Sequence, residues 1–463
     1  MNEYQLIVIG AGPGGYTAAL RAAKLGLRTA VVESREAGGT CLNRGCVPTK
    51  ALLHASELYR AAKEGGRIGV CADVTMDLPA LFAHKQSVVE TLSKGVETLL
   101  KGAKVPLYHG VAQILSPNTV QVTAPGGEAA EFTTDRILIA TGSVPARPPI
   151  PGLDLPGVLT SDELLEGADR LCRSIVIIGG GVIGVELATF YADLGCAVTV
   201  VEGLDRLLPA LDRELGQNLA LLFKKRGVQV YTNAMVQRIE QCETGLSVCF
   251  TQKGAETFAE GEVVLCAIGR RPYCDGLFAP GLSPEMDGRR IRVNDDFMTS
   301  IPGVYAIGDV SAKIQLAHVA AAQGTVCVER MAGVKPNLDL NIVPSCIYCH
   351  PEIASVGLTD ADAKAANIPV KVGKCVMGAN ARTLIADPGR SFMKVVAHAE
   401  TGELLGAVLM CPNATDMISE LGEAIANRLT AEQMLRAMRP HPTFEEALDQ
   451  ALEDLAAKLK KQD

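Results

Sequence analysis

Cys41 and Cys46 stand with four residues between them in GGTCLNRGCVPTK, and two thiols this close in a large chain point to redox or metal chemistry. A metal would want further ligands nearby, and the nearest histidine is His54. On a regular helix, residues five apart have Cα atoms beyond the roughly 7 Å at which an unstrained disulfide forms, so a bridge here requires a distorted backbone. Gly45 and Pro48 supply the means, because proline lacks the amide donor and crowds the preceding turn. A strained bridge is also readily reduced. The competing explanation is a pair of unrelated core cysteines, which the segment upstream argues against.

Near the other end of the chain His441 opens HPTFEE, and imidazole is the side chain suited to moving protons near neutral pH. Glu446 could orient it. Thr443 and Glu446 also form a T-x-x-E capping box ahead of the amphipathic run FEEALDQALEDLAAKL, so the carboxylate has a purely helical explanation as well. A third constellation, CIYCH at residues 346–350, has the spacing of a c-type haem attachment site. Attachment requires export, and the opening MNEYQLIVIG lacks the basic, apolar and small-residue regions of a signal peptide. These cysteines therefore read as structural, and no second pair stands at zinc-binding spacing.

The elements that must position the thiols begin at Tyr4. YQLIVIGAGPGGYTAALRAAKLGLRTAVVE reads as a strand, a glycine turn, a helix and a second strand ending in an acid, which is a dinucleotide-binding unit. Gly10 permits the tight turn, Gly12 lets the backbone approach a pyrophosphate, and Gly15 lets helix and strand pack closely. The helix N-terminus then faces the phosphates, and Glu33 stands where a carboxylate would bind a ribose. A lone motif of this kind is weak evidence, but it recurs in SIVIIGGGVIGVELATFYADLGCAVTVVE. Gly179, Gly181, Gly184 and Glu202 each follow their counterparts by 169 residues. Two units imply two dinucleotides. Glu202 would repel a 2′-phosphate, so the second site should take NAD rather than NADP, with Arg206 read as a solvated charge.

At 463 residues the chain has length for roughly three domains. Its net charge of −8 argues against a nucleic-acid partner, which needs clustered Lys and Arg. The longest apolar stretch is interrupted by glycines and by Glu186 and Asp193, so no membrane span is expected. Fourteen cysteines are scattered without a secretion signal, which points to the cytoplasm and to mostly reduced core thiols.

Taken together, GGTCLNRGCVPTK and the two glycine units resemble the pyridine nucleotide-disulfide oxidoreductases, most nearly the branch that oxidises dihydrolipoyl groups, over essentially the whole chain. The resemblance implies an α/β fold with two Rossmann-like dinucleotide-binding domains, in the glutathione-reductase-like arrangement, plus a C-terminal α+β interface domain. It divides the chain into an FAD-binding domain (1–147), an NAD-binding domain (148–271), a central domain completing the FAD site (272–342) and an interface domain (343–463). The Pro-rich VPARPPIPG marks the exit to the inserted domain and GRRP at Gly269 the return.

The same resemblance implies roles for individual residues. Cys41 would be the interchange thiol and Cys46 the thiol against the flavin, with Lys50 near the reactive flavin nitrogen and Glu186 its partner. FAD would be held by Gly10, Gly12, Pro13, Gly14, Gly15, Glu33, Gly39, Thr40, Ala112 and the ATGS loop (Thr141, Gly142, Ser143). Gly308 and Asp309 of YAIGDV, then Leu316, Ala317 and His318, would complete that site. NAD would meet Gly179, Gly181, Val182, Ile183, Gly184, Glu202, Val236, Gly269 and Arg270 of AIGR. His441 would be the base and Glu446 its orienting carboxylate, serving the other subunit of a homodimer. Electrons would pass from a dihydrolipoyl group through the Cys41–Cys46 disulfide and FAD to NAD⁺. The lipoyl group would be free or carried by a protein, such as the acyltransferase core of a 2-oxo acid dehydrogenase or the glycine cleavage complex. The alternatives are another NAD(P)H-dependent disulfide reductase and, from another class, a nucleotide-bound redox sensor that does not turn over.

Overall fold

The computed structural model describes residues 3–167, 171–386 and 389–460. Its first sheet runs in the order Val304–Ala306, Ile137–Ile139, Leu6–Ile9, Thr29–Glu33, Leu107–His109, with every neighbouring pair parallel. Parallel strands are covered on both faces and so need near-continuous apolar sequence. LIVI and TAVVE supply it, with all nine residues buried. Pro13 opens the connecting helix Pro13–Lys24 at the one place where its missing amide is harmless.

The second sheet repeats the plan. Gln229–Tyr231, Ala197–Val201, Ser174–Ile178, Val263–Cys266 and Val158–Thr160 lie side by side, again all parallel. The chain leaves the first sheet through Ser143–Pro145 and returns through Arg270–Pro272, and these two strands pair antiparallel, making a two-stranded neck. Beyond the neck the chain rejoins the first sheet at Val304–Ala306, and helix Ala317–Met331 packs along Pro13–Lys24.

A further five-stranded sheet is antiparallel, in the order Ser345–Ile347, Ile353–Gly357, Leu404–Met410, Phe392–His398, Val370–Val376. Helices Ala414–Ala426 and Glu446–Lys460 cover it with Ile418, Leu421, Leu448, Leu452 and Leu455. The α/β class expected from the sequence is the class observed. Among the described residues no helix is long and apolar enough to cross a membrane.

Candidate active site

Helix Gly39–Arg44 stops and helix Cys46–Glu64 starts with Gly45 alone between them, at φ −141° and ψ −111°. A Cβ at Gly45 would lie 2.9 Å from the Thr40 carbonyl oxygen, which reserves the position for glycine. The break brings the Cys41 and Cys46 thiols into hydrogen-bond contact. Pro48 plays no part in it: it lies in the first turn of the second helix, where no intrahelical donor is required.

The two thiols are electrostatically unequal. Cys46 is brought down to about 7, first by the hydrogen bond from Cys41; burial opposes this, the Lys50 ammonium assists, and Glu186 opposes. Its place at the start of a helix favours negative charge as well. Cys41 is pushed up, by the same hydrogen bond and by burial. Charge therefore collects on Cys46, the exposed member of the pair, which lines the main cavity.

Lys50 follows Cys46 by one helical turn and shares its face. Its ammonium donates to both oxygens of Glu186, at 2.9 and 2.7 Å, and sits 4.8 Å from the centre of the Tyr348 ring. Burial disfavours the Lys50 charge, but the Glu186 carboxylate outweighs it and the group is held charged above its ordinary range. Glu186 also accepts the Tyr348 backbone amide at 3.1 Å. One carboxylate thus joins the helix that begins at Cys46, the second glycine unit and the antiparallel sheet's entry segment.

The two glycine units match atom for atom. Ala11 N donates to Glu33 Oε2 at 2.7 Å and Arg35 N to Oε1 at 2.9 Å; Gly180 N donates to Glu202 Oε2 at 2.6 Å and Leu204 N to Oε1 at 2.7 Å. Each buried acid therefore braces its own glycine turn besides facing the cavity, a role the sequence did not suggest. Gly10 and Gly179 hold φ of +105° and +109°, and a Cβ at Gly15 or Gly184 would fall 1.8 or 2.0 Å from the carbonyl oxygen of Gly10 or Gly179. A Cβ at Gly181 would meet nothing within 4 Å. Arg206 is engaged by Asp205 at 2.8 Å and by the Pro209 carbonyl at 2.9 Å, which leaves Glu202 as the charge facing the second turn.

Both turns open on one cavity of about 1670 Å³, larger than the roughly 300–1,000 Å³ of an ordinary small-ligand site. Its walls include Gly10, Gly12, Pro13, Gly14, Glu33, Gly39, Thr40, Ala112, Thr141, Gly142, Ser143, Gly308, Asp309, Leu316, Ala317 and His318 on one side. Gly179, Gly181, Val182, Ile183, Glu202, Val236, Gly269 and Arg270 line the other, with Cys41, Cys46, Lys50 and Glu186 between. Gly15 and Gly184 do not reach it; they pack helix against strand. Ser143 Oγ donates to Asp309 Oδ2 at 2.6 Å and accepts from Arg270 Nε at 2.9 Å, so the exit and return segments of the neck meet at the cavity wall. Burial raises Asp309 above the ordinary carboxylate range.

His441 and Glu446 lie outside that wall. His441 Nδ1 and Glu446 Oε1 are 2.7 Å apart, and Glu446 Oε2 accepts the Thr443 amide at 2.9 Å. Those bonds hold the carboxylate charged below its ordinary range, the Thr443 amide foremost. The Thr443 hydroxyl turns instead to the Pro440 carbonyl, so only half of the capping box forms. Both explanations of Glu446 hold at once. The imidazole is 72% exposed, and the structure does not bring it to the thiols of its own chain.

The sequence pattern described as "Pyridine nucleotide-disulphide oxidoreductase" matches residues 4–324, and that of the family's dimerisation domain matches residues 343–452. The chain belongs to this family. A dihydrolipoyl dehydrogenase of Bacillus subtilis is 41% identical over 97% of both chains. Among solved structures, LpdA of Mycobacterium tuberculosis has a TM-score of 0.88 at 27% identity, covering 97% of this chain and 99% of its own. The HOCl-induced flavoprotein disulfide reductase RclA of Escherichia coli has a TM-score of 0.84 at 27% identity, covering 98% and 99%.

In this member of the oxidoreductase family the exposed His441–Glu446 pair falls inside the dimerisation-domain match. Two further residues near the thiols take structural roles that the sequence did not suggest. Tyr348, in the middle of CIYCH, presents both its ring and its amide to the Lys50–Glu186 pair. Arg44 is buried and paired with Glu36 and Glu166, fastening the helix that carries Cys41 to helix Ser161–Gly167. Only long-range contacts reveal either role. Among the described residues no cluster of three or more His, Cys, Asp or Glu has the geometry to hold a metal.

Proposed function

We propose that this protein is a dihydrolipoyl dehydrogenase, a homodimer using FAD and NAD to oxidise dihydrolipoyl groups. The observation that carries the reading is the thiol pair, in contact across the Gly45 break, facing the one cavity on which both glycine turns open. The walls suit the two cofactors: the Gly12 turn lies against Gly39, the Gly181 position leaves room for a close ligand, and Glu202 disfavours a 2′-phosphate. We assign FAD to the side of Gly10 and Asp309 and NAD to the side of Gly179 and Glu202. On this reading residues 1–147, 148–271, 272–342 and 343–463 form the FAD, NAD, central and interface domains.

The chemistry follows from the thiols. His441 of the partner subunit takes the proton from one substrate thiol, its Nδ1 fixed by Glu446 so that Nε2 is free. The substrate thiolate attacks Cys41 Sγ, the Cys41–Cys46 bond breaks, and Cys46 leaves as a thiolate. The second substrate thiol then displaces Cys41, closing the substrate's own disulfide; Cys41 leaves as a thiol with the proton that His441 of the partner subunit held, and His441 of the partner subunit takes up the proton of the second substrate thiol. Lys50, kept charged by Glu186, stabilises the Cys46 thiolate. The flavin, when bound, supplies the two-electron relay from this pair to NAD⁺. A cytoplasmic location suits a centre that must keep cycling through free thiols.

The test is a steady-state comparison of lipoamide, glutathione disulfide and coenzyme A disulfide with NADH and with NADPH. Lipoamide with NADH should give the highest kcat/KM. Preference for another disulfide overturns the substrate assignment, and undiminished dithiol turnover in Cys46→Ser overturns the centre itself.

A further inference from the structure

A second pair of thiols lies in contact away from the cavity. Cys172 stands two residues before strand Ser174–Ile178 and Cys196 one residue before strand Ala197–Val201. These strands pair in parallel with Ser174 opposite Ala197, and Ala197 N donates to the Arg173 carbonyl at 2.9 Å. Extending that register puts Cys172 and Cys196 on neighbouring strands, one residue out of step. With strands about 4.8 Å apart and a rise of about 3.3 Å per residue, the Cα atoms are roughly 6 Å apart, inside the window of an unstrained disulfide.

The sulfurs already meet. The Cys196 thiol donates to the Cys172 carbonyl oxygen at 2.8 Å, and it lies within reach of the Cys172 sulfur, to which it turns when Cys172 is ionised. Both side chains are half-buried, so a small reagent reaches them. They enter the sheet at the N-terminal ends of its strands, opposite the ends bearing Gly179 and Glu202, and neither lines the cavity. Electrons cannot come to them by way of the flavin site, so any exchange is with solution.

We propose that Cys172 and Cys196 form a second, cavity-independent dithiol–disulfide couple, oxidised by a low-molecular-weight disulfide of the glutathione class. Cys172 attacks as a thiolate, forming a mixed disulfide and releasing one small thiolate, which takes the proton of Cys196. Cys196 then attacks Cys172 Sγ and expels the second small thiolate, which takes the proton Cys172 gave up. Two protein thiols are oxidised, one small disulfide is reduced to two thiols, and the protons balance. The order of attack agrees with the charge distribution: the hydrogen bond from Cys196 lowers Cys172, with burial opposing, while Cys196 is raised by the same bond and by burial. The same division separates Cys46 from Cys41. The bridge closes a loop around strand Ser174–Ile178, the second glycine turn and helix Val182–Asp193.

The whole protein is treated with rising glutathione disulfide until Cys41 and Cys46 are bridged, free thiols are alkylated, and peptides are mapped by mass spectrometry. The expected result is a linked Cys172–Cys196 peptide with loss of both alkylation sites, reversed by dithiothreitol. Full alkylation of both residues in that same sample overturns the proposal. Cys196→Ser should trap glutathione on Cys172, whereas Cys172→Ser should leave Cys196 alkylated and dithiol-linked turnover unchanged. Glutathione on Cys196 instead, or no adduct in either variant, overturns the assigned order of attack.

Discussion

Three neighbouring side chains set the charge on Cys46, with Cys41 and Lys50 favouring the thiolate and Glu186 opposing it, and each can be removed separately. At about 7, Cys46 is half thiolate at pH 7, whereas a thiol at the ordinary 9.0 would be about one per cent thiolate there. The largest cause is the hydrogen bond from Cys41, so Cys41→Ala should raise the midpoint most. Lys50→Met removes the ammonium and leaves the Glu186 carboxylate, which by itself opposes the thiolate. A rise of about one pH unit, worth about 1.4 kcal/mol, would cut the thiolate at pH 7 from half to about a tenth. Glu186→Gln should move the midpoint the other way, provided Lys50 stays charged. The assay is the pH dependence of iodoacetamide alkylation of Cys46 in the reduced protein, resolved by peptide mass spectrometry. The signs carry the inference: if Lys50→Met and Glu186→Gln shift the midpoint in the same direction, or Cys41→Ala leaves it at about 7, the account of the pair would be refuted.

The second glycine turn separates packing from binding. Gly184→Ala should destabilise the fold by about 1–3 kcal/mol or more in denaturant titration, because its Cβ overlaps the Gly179 carbonyl. Gly181→Ala should stay within about 0.5 kcal/mol of the parent and weaken NADH binding alone, measured by its KM. Glu202→Ala should narrow the preference for NADH over NADPH, read as the ratio of kcat/KM values, and an unchanged ratio would count against the assigned charge filter. His350 is held down to about 4 chiefly by burial, with Arg60 and Arg226 adding to it and Glu57 opposing. The nearby Asp193 does little to offset this, being already paired with Arg60 and Arg226. Because the folded value is depressed below the ordinary 6.5, the unfolded chain gains a proton first as pH falls. Stability should therefore drop by up to about 3 kcal/mol between pH 6.5 and 4, and His350→Gln should flatten that slope in urea titrations.

What the sequence disclosed was local in character or repeated. The glycine turns could be read because the steric demands of Gly10 and Gly15 recur 169 residues later, and the helix break at Gly45 because two bridged thiols five residues apart cannot share a regular helix. Contacts between distant segments left no such trace. Nothing in CIYCH indicates that the Tyr348 amide would reach Glu186, 162 residues earlier, nor that Cys172 and Cys196 would meet where two parallel strands begin. Pro48 illustrates the opposite error: proline does disrupt a helix, but three residues from a helix start it disrupts nothing.

The helix Val182–Asp193 explains how the thiols hold their place relative to the second glycine turn. Glu186 and Asp193 are seven residues apart, two turns, and so share a face. Glu186 grips Lys50, while Asp193 accepts the Ser56 hydroxyl at 3.2 Å and pairs with Arg60 at 3.3 Å. Lys50, Ser56 and Arg60 belong to the helix that begins at Cys46. The entry segment of the antiparallel sheet touches both clamps, through the Tyr348 amide at one and His350, 3.5 Å from Asp193, at the other. Two points define a line, so this pairing fixes the tilt of the Cys46 helix as well as its position, which a single ion pair could not do. Removing Asp193 leaves the half-buried Arg226 without its carboxylate and Arg60 with Glu64 alone. Its loss should cost stability, and through the freed tilt it should also shift the Cys46 thiol, although Asp193 lies two helical turns beyond Glu186.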